Sequence, residues 1–330
     1  MDLSTNYLGL KLKNPIVPSA SPLSKNIDSA KALEDAGASA LVMFSLFEEE
    51  IQTQDAMLSS LESYQAMGHF EADSYLPKPN EFTSIMDNYL NQIENLKQSL
   101  EIPVIASLNG VTDSGWVNHA HEIELAGADA LELNIYYIPT NVAEKAAKVE
   151  QRYVEIVKHI KKLIKIPLIC KIGSQFSAPL HFVKKLEAAG ADGVALFNRF
   201  YQPDLNLENL KIDPKITLST SSESLLRIHW IALLREHTNI SLAATGGVNC
   251  SEDVLKLLLV GADVTHVCSA VLKHGASKIT EMLKEVEQWL QDNEYSSVQQ
   301  LKGSVSKGKA INPIAFERLN YLEVLKSYTL

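Results

Sequence analysis

Four times along the chain, a stretch of mixed polar and apolar residues ends at a glycine and an alanine, and a nearly unbroken apolar run follows. The four copies are EDAGASALVMF (34–44), ELAGADALELN (124–134), EAAGADGVALFN (187–198) and LLVGADVTHVCS (258–269). Glycine can adopt the left-handed conformation that ends a helix. A run that is apolar on both faces is typical of a buried parallel strand. The repeat therefore predicts units of a helix followed by a strand.

The rest of the pattern extends this alternation. Four more apolar runs predict strands: NPIVPSAS (14–21), LEIPVIASLNG (100–110), IKIPLICKIG (164–173) and NISLAATGGV (239–248). Amphipathic spacing predicts helices at Ile27–Ala36, Trp116–Ala126, Val142–Leu163, Leu180–Ala189, Leu225–His237, Glu252–Val260 and Ser277–Gln291. Eight strands alternating with helices favour an α/β protein with a (β/α)8 TIM barrel over a doubly wound sheet. The first strand is also not followed by G-x-G-x-x-G.

Two long segments interrupt the alternation, at about 46–98 and 200–224. Each follows a strand, so each is predicted to lie over the C-terminal mouth of the barrel, where barrel chemistry takes place. Long inserts in a compact domain are usually lids or partner surfaces, and inert decoration is the alternative. We predict a barrel over residues 1–293, followed by a polar segment and a helix (294–330) that pack on it.

Composition narrows the classes of partner. The 330 residues are 46% hydrophobic and 21% charged, which is typical of a globular protein. The net charge of −10 disfavours nucleic acid and anionic membranes as partners. The start of the chain lacks a signal-peptide pattern, and the three cysteines are far apart. We expect a cytoplasmic protein that acts on a small-molecule substrate, with no membrane span and no metal site.

A glycine pair follows the seventh predicted strand. Thr245-Gly246-Gly247 ends this strand, and Cys268-Ser269 ends the eighth. Two glycines allow a backbone to approach a phosphate closely and to direct amides toward it. Phosphate sites after strands 7 and 8 are common in barrels. We therefore predict a phosphate cradle, and a tight turn without a ligand is the alternative.

Lys171 lies within the apolar run PLICKIG at the end of the fifth strand. A buried, unpaired ammonium is costly, so the side chain should point into the mouth. It could form a Schiff base, or it could stand as a cation beside a cofactor that becomes anionic on reduction. A lysine that extends to solvent is the third possibility.

Three amides, those of Asn109, Asn134 and Asn198, are predicted at three strand ends. An amide both donates and accepts hydrogen bonds, which suits the edge of a flat ring with alternating C=O and N–H groups. A single asparagine at a strand end is usually a turn former. Three at one mouth, with a lysine and a glycine pair, indicate a ligand site.

With these residues, the chain resembles the dihydroorotate dehydrogenase family of FMN barrels over about residues 5–290. The matching segments are NPIVPSAS, LELN, the strand-5 lysine, Asn198, TGGV and CSA. The resemblance is to the soluble class 1 form and implies FMN, with Lys171 at the N1/O2 edge of the flavin ring. It places the phosphate on Gly246, Gly247, Cys268 and Ser269. The remaining cofactor contacts that we predict are Ser19, Ala20, Ser21, Ser45, Asn109, Asn134 and Asn198.

The substrate side departs from the family. The family motif Glu-Leu-Asn-x-Ser-Cys-Pro-Asn here becomes LELNIYYIPT (131–140), so that Tyr137 falls on the catalytic base, with one residue inserted before Pro139. Phe44 falls on the family lysine that faces the substrate carboxylate, and Thr140 falls on the second asparagine. The Asn-rich substrate loop has no match in EADSYLPKPN (71–80), and the Gly-rich loop becomes LSTSSES (218–224). The predicted substrate contacts are Phe44, Asn134, Thr140 and Asn198.

A tyrosine is a poor base at neutral pH, because its ordinary pKa is about 10. It is a better proton donor. Tyr137 or Tyr136 could therefore protonate an activated C=C bond that accepts a hydride from reduced FMN. Alternatively, both tyrosines merely stack on the flavin or fill the pocket.

The resulting prediction is an FMN-dependent oxidoreductase with the catalytic residues Tyr136, Tyr137 and Lys171. Its reaction would be dihydroorotate to orotate, in pyrimidine biosynthesis, or hydride transfer with a related CH–CH or C=C substrate. Two alternatives stay open: a flavin-binding electron-transfer subunit that depends on a partner, and a Schiff-base aldolase that uses Lys171. The electron acceptor is unknown, and a homodimer is expected by resemblance.

Overall fold

The computed structural model describes residues 1–66 and 84–327. Eight parallel strands form one sheet that curls into a nearly closed barrel, in the spatial order β1-β8-β7-β6-β5-β4-β3-β2. The strands are β1 Ile16–Pro18, β2 Leu41–Phe47, β3 Val104–Asn109, β4 Ala130–Asn134, β5 Leu168–Ile172, β6 Gly193–Leu196, β7 Ser241–Thr245 and β8 Val264–Val267. Between β1 and β2, the amide of Ser39 donates to the carbonyl of Ile16 at 3.1 Å. The predicted (β/α)8 TIM barrel is confirmed.

Helices surround the sheet. They are α1 Ile27–Asp35, α2 Glu48–Ala66, α3 Ile85–Ser99, α4 Asp113–Leu125, α5 Ala146–Leu163, α6 Pro179–Ala189, α7 Ser224–Leu234, α8 Ser251–Val260, α9 Ser269–His274, α10 Ser277–Asp292, α11 Val298–Leu301 and α12 Leu319–Ser327. Gly190 and Gly261 end α6 and α8 with φ of 104° and 117°. A residue with a Cβ is strained at these angles, which explains why glycine precedes these strands.

An antiparallel hairpin of Thr5–Tyr7 and Leu10–Leu12 closes one end of the barrel. The Thr5 hydroxyl donates to the carbonyl of Asp263 just before β8, and the Leu8 amide donates to the Ser241 hydroxyl at the start of β7. Tyr7 and Leu12 are buried against residues of the barrel interior. Because the hairpin fills the end where the strands begin, a ligand must enter where the strands end.

The two inserts contain secondary structure. The first holds α2 and α3; the stretch EADSYLPKPN falls in residues 67–83, outside the described residues. The second holds a hairpin of Asp204–Asn206 and Lys211–Asp213, followed by a short 3-10 helix, Ser221–Glu223. Leu205, Leu207, Leu210 and Ile212 of this hairpin are exposed.

The chain after Asn293 has two parts with different packing. Val298 and Leu301 are fully buried, and the amides of Gly303 and Val305 donate to carbonyls of α8. Residues 320–327 of α12 are exposed. The predicted boundary near 293 stays a prediction, but the polar segment clearly packs on the barrel. Within the described residues, none of the helices is both long enough and apolar enough to span a bilayer.

Candidate active site

Two adjoining cavities lie at the C-terminal mouth of the barrel. The first, of about 400 Å³, is here called the mouth cavity. Its predicted site residues are Ala20, Ser21, Phe44, Ser45, Asn109, Asn134, Tyr136, Lys171 and Asn198. The second, of about 210 Å³, is called the glycine cavity, and its predicted site residues are Ser19, Ala20, Ser21, Lys171, Asn198, Gly246, Gly247, Cys268 and Ser269. All the predicted cofactor residues line one cavity or both; those that line both are Ala20, Ser21, Lys171 and Asn198.

Lys171 is anchored from inside the barrel. Its Nζ lies 3.3 Å from Oε1 of Glu132, a fully buried carboxylate on the neighbouring strand β4. The alternation of side chains along LELN places Glu132 inside the barrel and Asn134 two residues closer to the mouth. The carboxylate therefore holds the ammonium at the floor of both cavities.

His266, on β8, also faces Glu132, with its Nδ1 3.8 Å from Glu132 Oε2. Neither ring nitrogen has a hydrogen-bond partner among the described residues, nor does Glu132 Oε2. Burial lowers the pKa of His266 to about 4; the Glu132 charge opposes this effect and the Lys171 charge adds to it. The histidine is therefore neutral at pH 7, and the cation that balances Glu132 is Lys171.

Two of the three amides form a pair. Asn198 Nδ2 donates to Asn134 Oδ1 at 2.5 Å. This bond leaves the amide N–H groups of Asn134 and the amide oxygen of Asn198 available to a ligand. The mouth cavity therefore presents both a donor and an acceptor beside the Lys171 ammonium.

The glycine cavity has an unusual backbone. Gly246 and Gly247 have φ of 89° and 83°, consecutive angles that strain any residue with a Cβ. Facing them, the amide and the hydroxyl of Ser219 donate to the Ser269 hydroxyl at 3.0 and 2.8 Å. Burial raises the pKa of the Cys268 thiol, against the opposing effects of the Lys171 and Arg199 charges. The cavity therefore combines a glycine backbone, side-chain hydroxyls and nearby positive charges.

The two tyrosines after β4 point in different directions. Tyr136 lines the mouth cavity, and its hydroxyl accepts from the Tyr201 amide at 3.3 Å. The Tyr137 hydroxyl instead donates to Glu144 at 2.5 Å, and its ring packs against Arg152. Tyr137 lines neither of these two cavities; with Tyr136 and Asn198 it lines a third cavity of about 260 Å³.

Thr140 is exposed and lines neither cavity. Phe44 lines the mouth cavity, with its ring edge-to-face against Tyr89 at 5.1 Å between ring centroids. The predicted substrate contacts are therefore brought together in part: Phe44, Asn134 and Asn198 share one cavity, whereas Thr140 lies outside it.

Two cations of the mouth cavity were not predicted as site residues. Lys25 lies in the turn after β1, with its Nζ 4.9 Å from the centre of the Phe44 ring. Arg199 lines both cavities and is paired with Glu223 at 3.0 Å. The position of Arg199 next to Asn198 was a usable signal, because both follow the same strand. The sequence contains no such signal for Lys25, because this residue lies in a turn whose direction depends on packing.

Fold and site together define a barrel protein with a small-molecule site across its strand ends. The sequence profile of the dihydroorotate dehydrogenase family matches residues 78–290. The catalytic subunit of dihydroorotate dehydrogenase B (NAD(+)) from Thermoplasma acidophilum is 24% identical over 313 residues, covering 92% of this chain and 98% of that protein. The NAD-dependent dihydropyrimidine dehydrogenase subunit PreA from Escherichia coli K12 is 23% identical over 326 residues, covering 92% of this chain and 76% of that protein.

A third relative, dihydroorotate dehydrogenase A (fumarate) from Lactobacillus delbrueckii subsp. bulgaricus, is 26% identical over 208 residues, covering 57% of this chain and 65% of that protein. The chain belongs to the dihydroorotate dehydrogenase family. Its class is that of oxidoreductases acting on CH–CH groups. The homologues are flavoproteins, which implies FMN. This class favours neither the Schiff-base aldolase nor the subunit without chemistry of its own.

Proposed function

We propose that the chain binds FMN across the two cavities and exchanges a hydride with a CH–CH or C=C substrate in the mouth cavity. The observation that carries the proposal is the position of Lys171. It lies where a cavity lined by amides meets a cavity lined by a glycine pair. Such a site suits a ligand with a flat polar ring at one end and a phosphate at the other.

The donor set of the site fits FMN. Gly246, Gly247, Cys268 and Ser269 would hold the phosphate, and Ser19 to Ser21, Ser45 and Asn109 would line the rest of the cofactor. When bound, FMN supplies the hydride chemistry that amino-acid side chains lack. The residues of the chain would bind and orient it and place charge at its edge.

Lys171 would provide that charge. Glu132 keeps the ammonium in place at 3.3 Å. A fixed cation in a site of low dielectric stabilises negative charge that develops next to it. The pair of Asn134 and Asn198 would orient the substrate through one donor and one acceptor. Family resemblance supports both assignments.

Tyr136 is the better placed of the two proposed proton donors. It lines the mouth cavity, whereas the Tyr137 hydroxyl proton is directed to Glu144. We propose that Tyr136 transfers the proton at the substrate carbon: its hydroxyl donates the proton when the C=C bond is reduced, and its oxygen takes the proton back when the dihydro form is oxidised. Tyr137 would then serve a positioning role, because it links the β4 loop to Arg152 and Glu144.

The cations of the mouth cavity are compatible with a carboxylated and with an uncharged substrate. Phe44 cannot pair with a carboxylate, but Lys25 and Arg199 line the same cavity. A carboxylated substrate such as dihydroorotate would need one of them, and an uncharged dihydropyrimidine would need neither. We propose a dihydropyrimidine ring as the substrate, with its 6-substituent to be fixed by experiment. The homodimer and the cytoplasmic location stay predictions.

An absorbance spectrum and an anaerobic titration test the proposal. The protein, supplied with FMN and then freed of unbound flavin by gel filtration, should show flavin bands. Adding dihydroorotate, dihydrouracil or dihydrothymine should bleach them. Subsequent addition of NAD⁺ or fumarate, named by the relatives, should identify the electron acceptor. Absence of bands after addition of FMN would overturn the proposal, and bands that none of the three compounds bleaches would overturn its substrate part.

A further inference from the structure

Arg227 is a cation buried beneath the glycine cavity. Only 5% of Arg227 is exposed. Such burial is unusual, because arginine is rarely buried without an ionic partner. It lies in the first turn of α7, near the C-terminal mouth of the barrel. The guanidinium makes three hydrogen bonds in the described structure, all to backbone carbonyls: Thr245 at 2.8 Å, Glu223 at 2.8 Å and Phe197 at 3.1 Å.

The guanidinium lies directly behind the glycine pair. A Cβ added to Gly246 would lie 2.7 Å from Arg227 Nη2 and 3.2 Å from its Cζ. The backbone of Gly246 therefore packs against the guanidinium of Arg227. Any anion held in front of this backbone would have the positive charge within a few ångströms, with a water-excluding layer between them.

Among the described residues, no carboxylate is hydrogen-bonded to the guanidinium of Arg227. The Glu223 carboxylate is instead bound by Arg199 at 3.0 and 3.1 Å. Asp253, also buried at this end, accepts instead from the Ser221 hydroxyl and from the amides of Asn249 and Cys250. Burial lowers the pKa of Arg227, with Glu223 opposing this effect and Arg199 adding to it.

A buried cation of this kind is costly unless an anion compensates it. On the basis of the function proposed above, we infer that Arg227 is the electrostatic anchor of the cofactor phosphate and makes the protein select FMN over riboflavin. It acts through the Gly246 backbone and does not itself touch the ligand, so it is a positioning residue. The phosphate in turn compensates the buried charge.

Riboflavin provides the matched ligand, because it differs from FMN only in lacking the phosphate. The experiment measures the affinity of the flavin-free protein for both compounds by quenching of flavin fluorescence. In Arg227→Met, FMN should bind roughly 10- to 100-fold more weakly than in the wild type, whereas riboflavin binding should stay within about twofold. Arg227→Lys keeps the charge and should recover most of the FMN preference.

Arg235 provides the matched control. It follows α7 directly, and it also donates to backbone carbonyls, those of Gly261 and Thr238, but it is paired with Asp263 at the opposite end of the barrel. Arg235→Met removes a packed arginine at the other end of the same helix, far from the glycine pair. Its ratio of FMN to riboflavin affinity should equal that of the wild type.

The outcomes separate this inference from the proposed function. If the wild type binds FMN and Arg227→Met weakens FMN and riboflavin equally, Arg227 is merely structural and the inference is wrong. The inference also fails if neither affinity changes. If Arg227→Met does not fold, the ratio in Arg227→Lys against Arg235→Met decides: a lost preference in the lysine variant, where the charge remains, contradicts the electrostatic role. A wild type that binds neither flavin overturns both the inference and the proposed function.

Discussion

At the scale of single residues, the ionic pair of Lys171 and Glu132 determines the chemistry of the barrel interior. A fully buried carboxylate needs a cation, and the lysine supplies it while its ammonium still borders both cavities. His266 stays neutral beside them, because protonation would place a second positive charge in a dry interior.

His266 makes a pH-dependent contribution to stability. Its pKa is about 4 in the folded protein against an ordinary value of 6.5, so the unfolded chain binds a proton first as the pH falls. This stability is complete above about pH 6.5 and is lost progressively toward pH 4. Through this single histidine, lowering the pH from 7 to 5 should reduce the free energy of unfolding by about 2 kcal/mol. Urea unfolding of the wild type and His266→Gln at both pH values measures this share.

The matched control for this prediction is His121→Gln on α4, whose side chain is 55% exposed. It should keep the pH dependence of the wild type. An equal pH dependence in His266→Gln and in the wild type would show that the buried histidine is not the source.

The two tyrosines give a direct comparison at the site. Because Tyr136 borders the mouth cavity and Tyr137 is bonded to Glu144, only Tyr136→Phe should remove the proton donor. We expect its turnover to fall on the order of 10²–10⁴-fold, the usual contribution of a general acid. Tyr137→Phe should change turnover by less than about tenfold. Single-turnover kinetics with the substrate identified by the bleaching test measures both, and a larger effect at Tyr137 would reverse the assignment.

At the scale of elements, the apolar runs were enough to predict all eight strands, since parallel strands buried on both faces leave a clear pattern. Their ends also predicted which residues share the mouth, because the strands of a barrel converge there, whereas the contacts of these residues with a cofactor stay a prediction. Helix starts were less well predicted. The helix expected from Val142 begins at Ala146, because Glu144 is used to bond Tyr137 and Arg152 before the helix.

The residues that sequence could not place are those that reach the site from elsewhere in the chain. Lys25 reaches the mouth from a turn, and Arg227 reaches the back of the glycine pair from α7. Neither has a spacing that relates it to a strand end. Their positions depend on how the elements around the sheet pack against it, and the hydrophobic periodicity of the sequence does not specify that packing.

The glycine cavity makes a prediction at the element scale. Gly247→Ala would place a Cβ 2.3 Å from the Ser224 amide nitrogen and 2.8 Å from the Glu223 carbonyl carbon, so the start of α7 would have to shift. We expect a loss of stability of roughly 2 kcal/mol or more, together with weaker FMN binding. Chemical unfolding and the flavin titration measure the two effects.

Gly9→Ala separates the backbone cost of a positive φ from the steric clash of an added Cβ. Gly9 has φ of 78°, similar to the 83° of Gly247, but an added Cβ there would have no atom within 4 Å. It should lose only about 1 kcal/mol, the cost of the left-handed angle. Equal losses in the two variants would contradict the steric argument.

At the scale of the whole molecule, the segment after Asn293 should be separable into a required and a dispensable part. Removing residues 319–330 deletes α12, of which residues 320–327 are exposed, and should change the unfolding free energy by less than about 0.5 kcal/mol. Removing residues 295–330 also deletes the buried side chains of Val298 and Leu301 and should cost roughly 3–6 kcal/mol. Urea unfolding of both truncations measures the difference.

The hairpin that fills the base of the barrel can pack only after much of the chain has been synthesised. Thr5 bonds to Asp263, 258 positions later, and the amide of Val298 donates to the carbonyl of Asp2. A ribosome adds about 5–20 residues per second, so the first residues wait roughly 15–60 s for their partners to be made. During that interval Tyr7, Leu8 and Leu12 have no barrel interior to enter. The nascent chain therefore exposes these apolar side chains until the strands that they pack against have been made, which takes longer than in a protein whose segments pack against nearby residues.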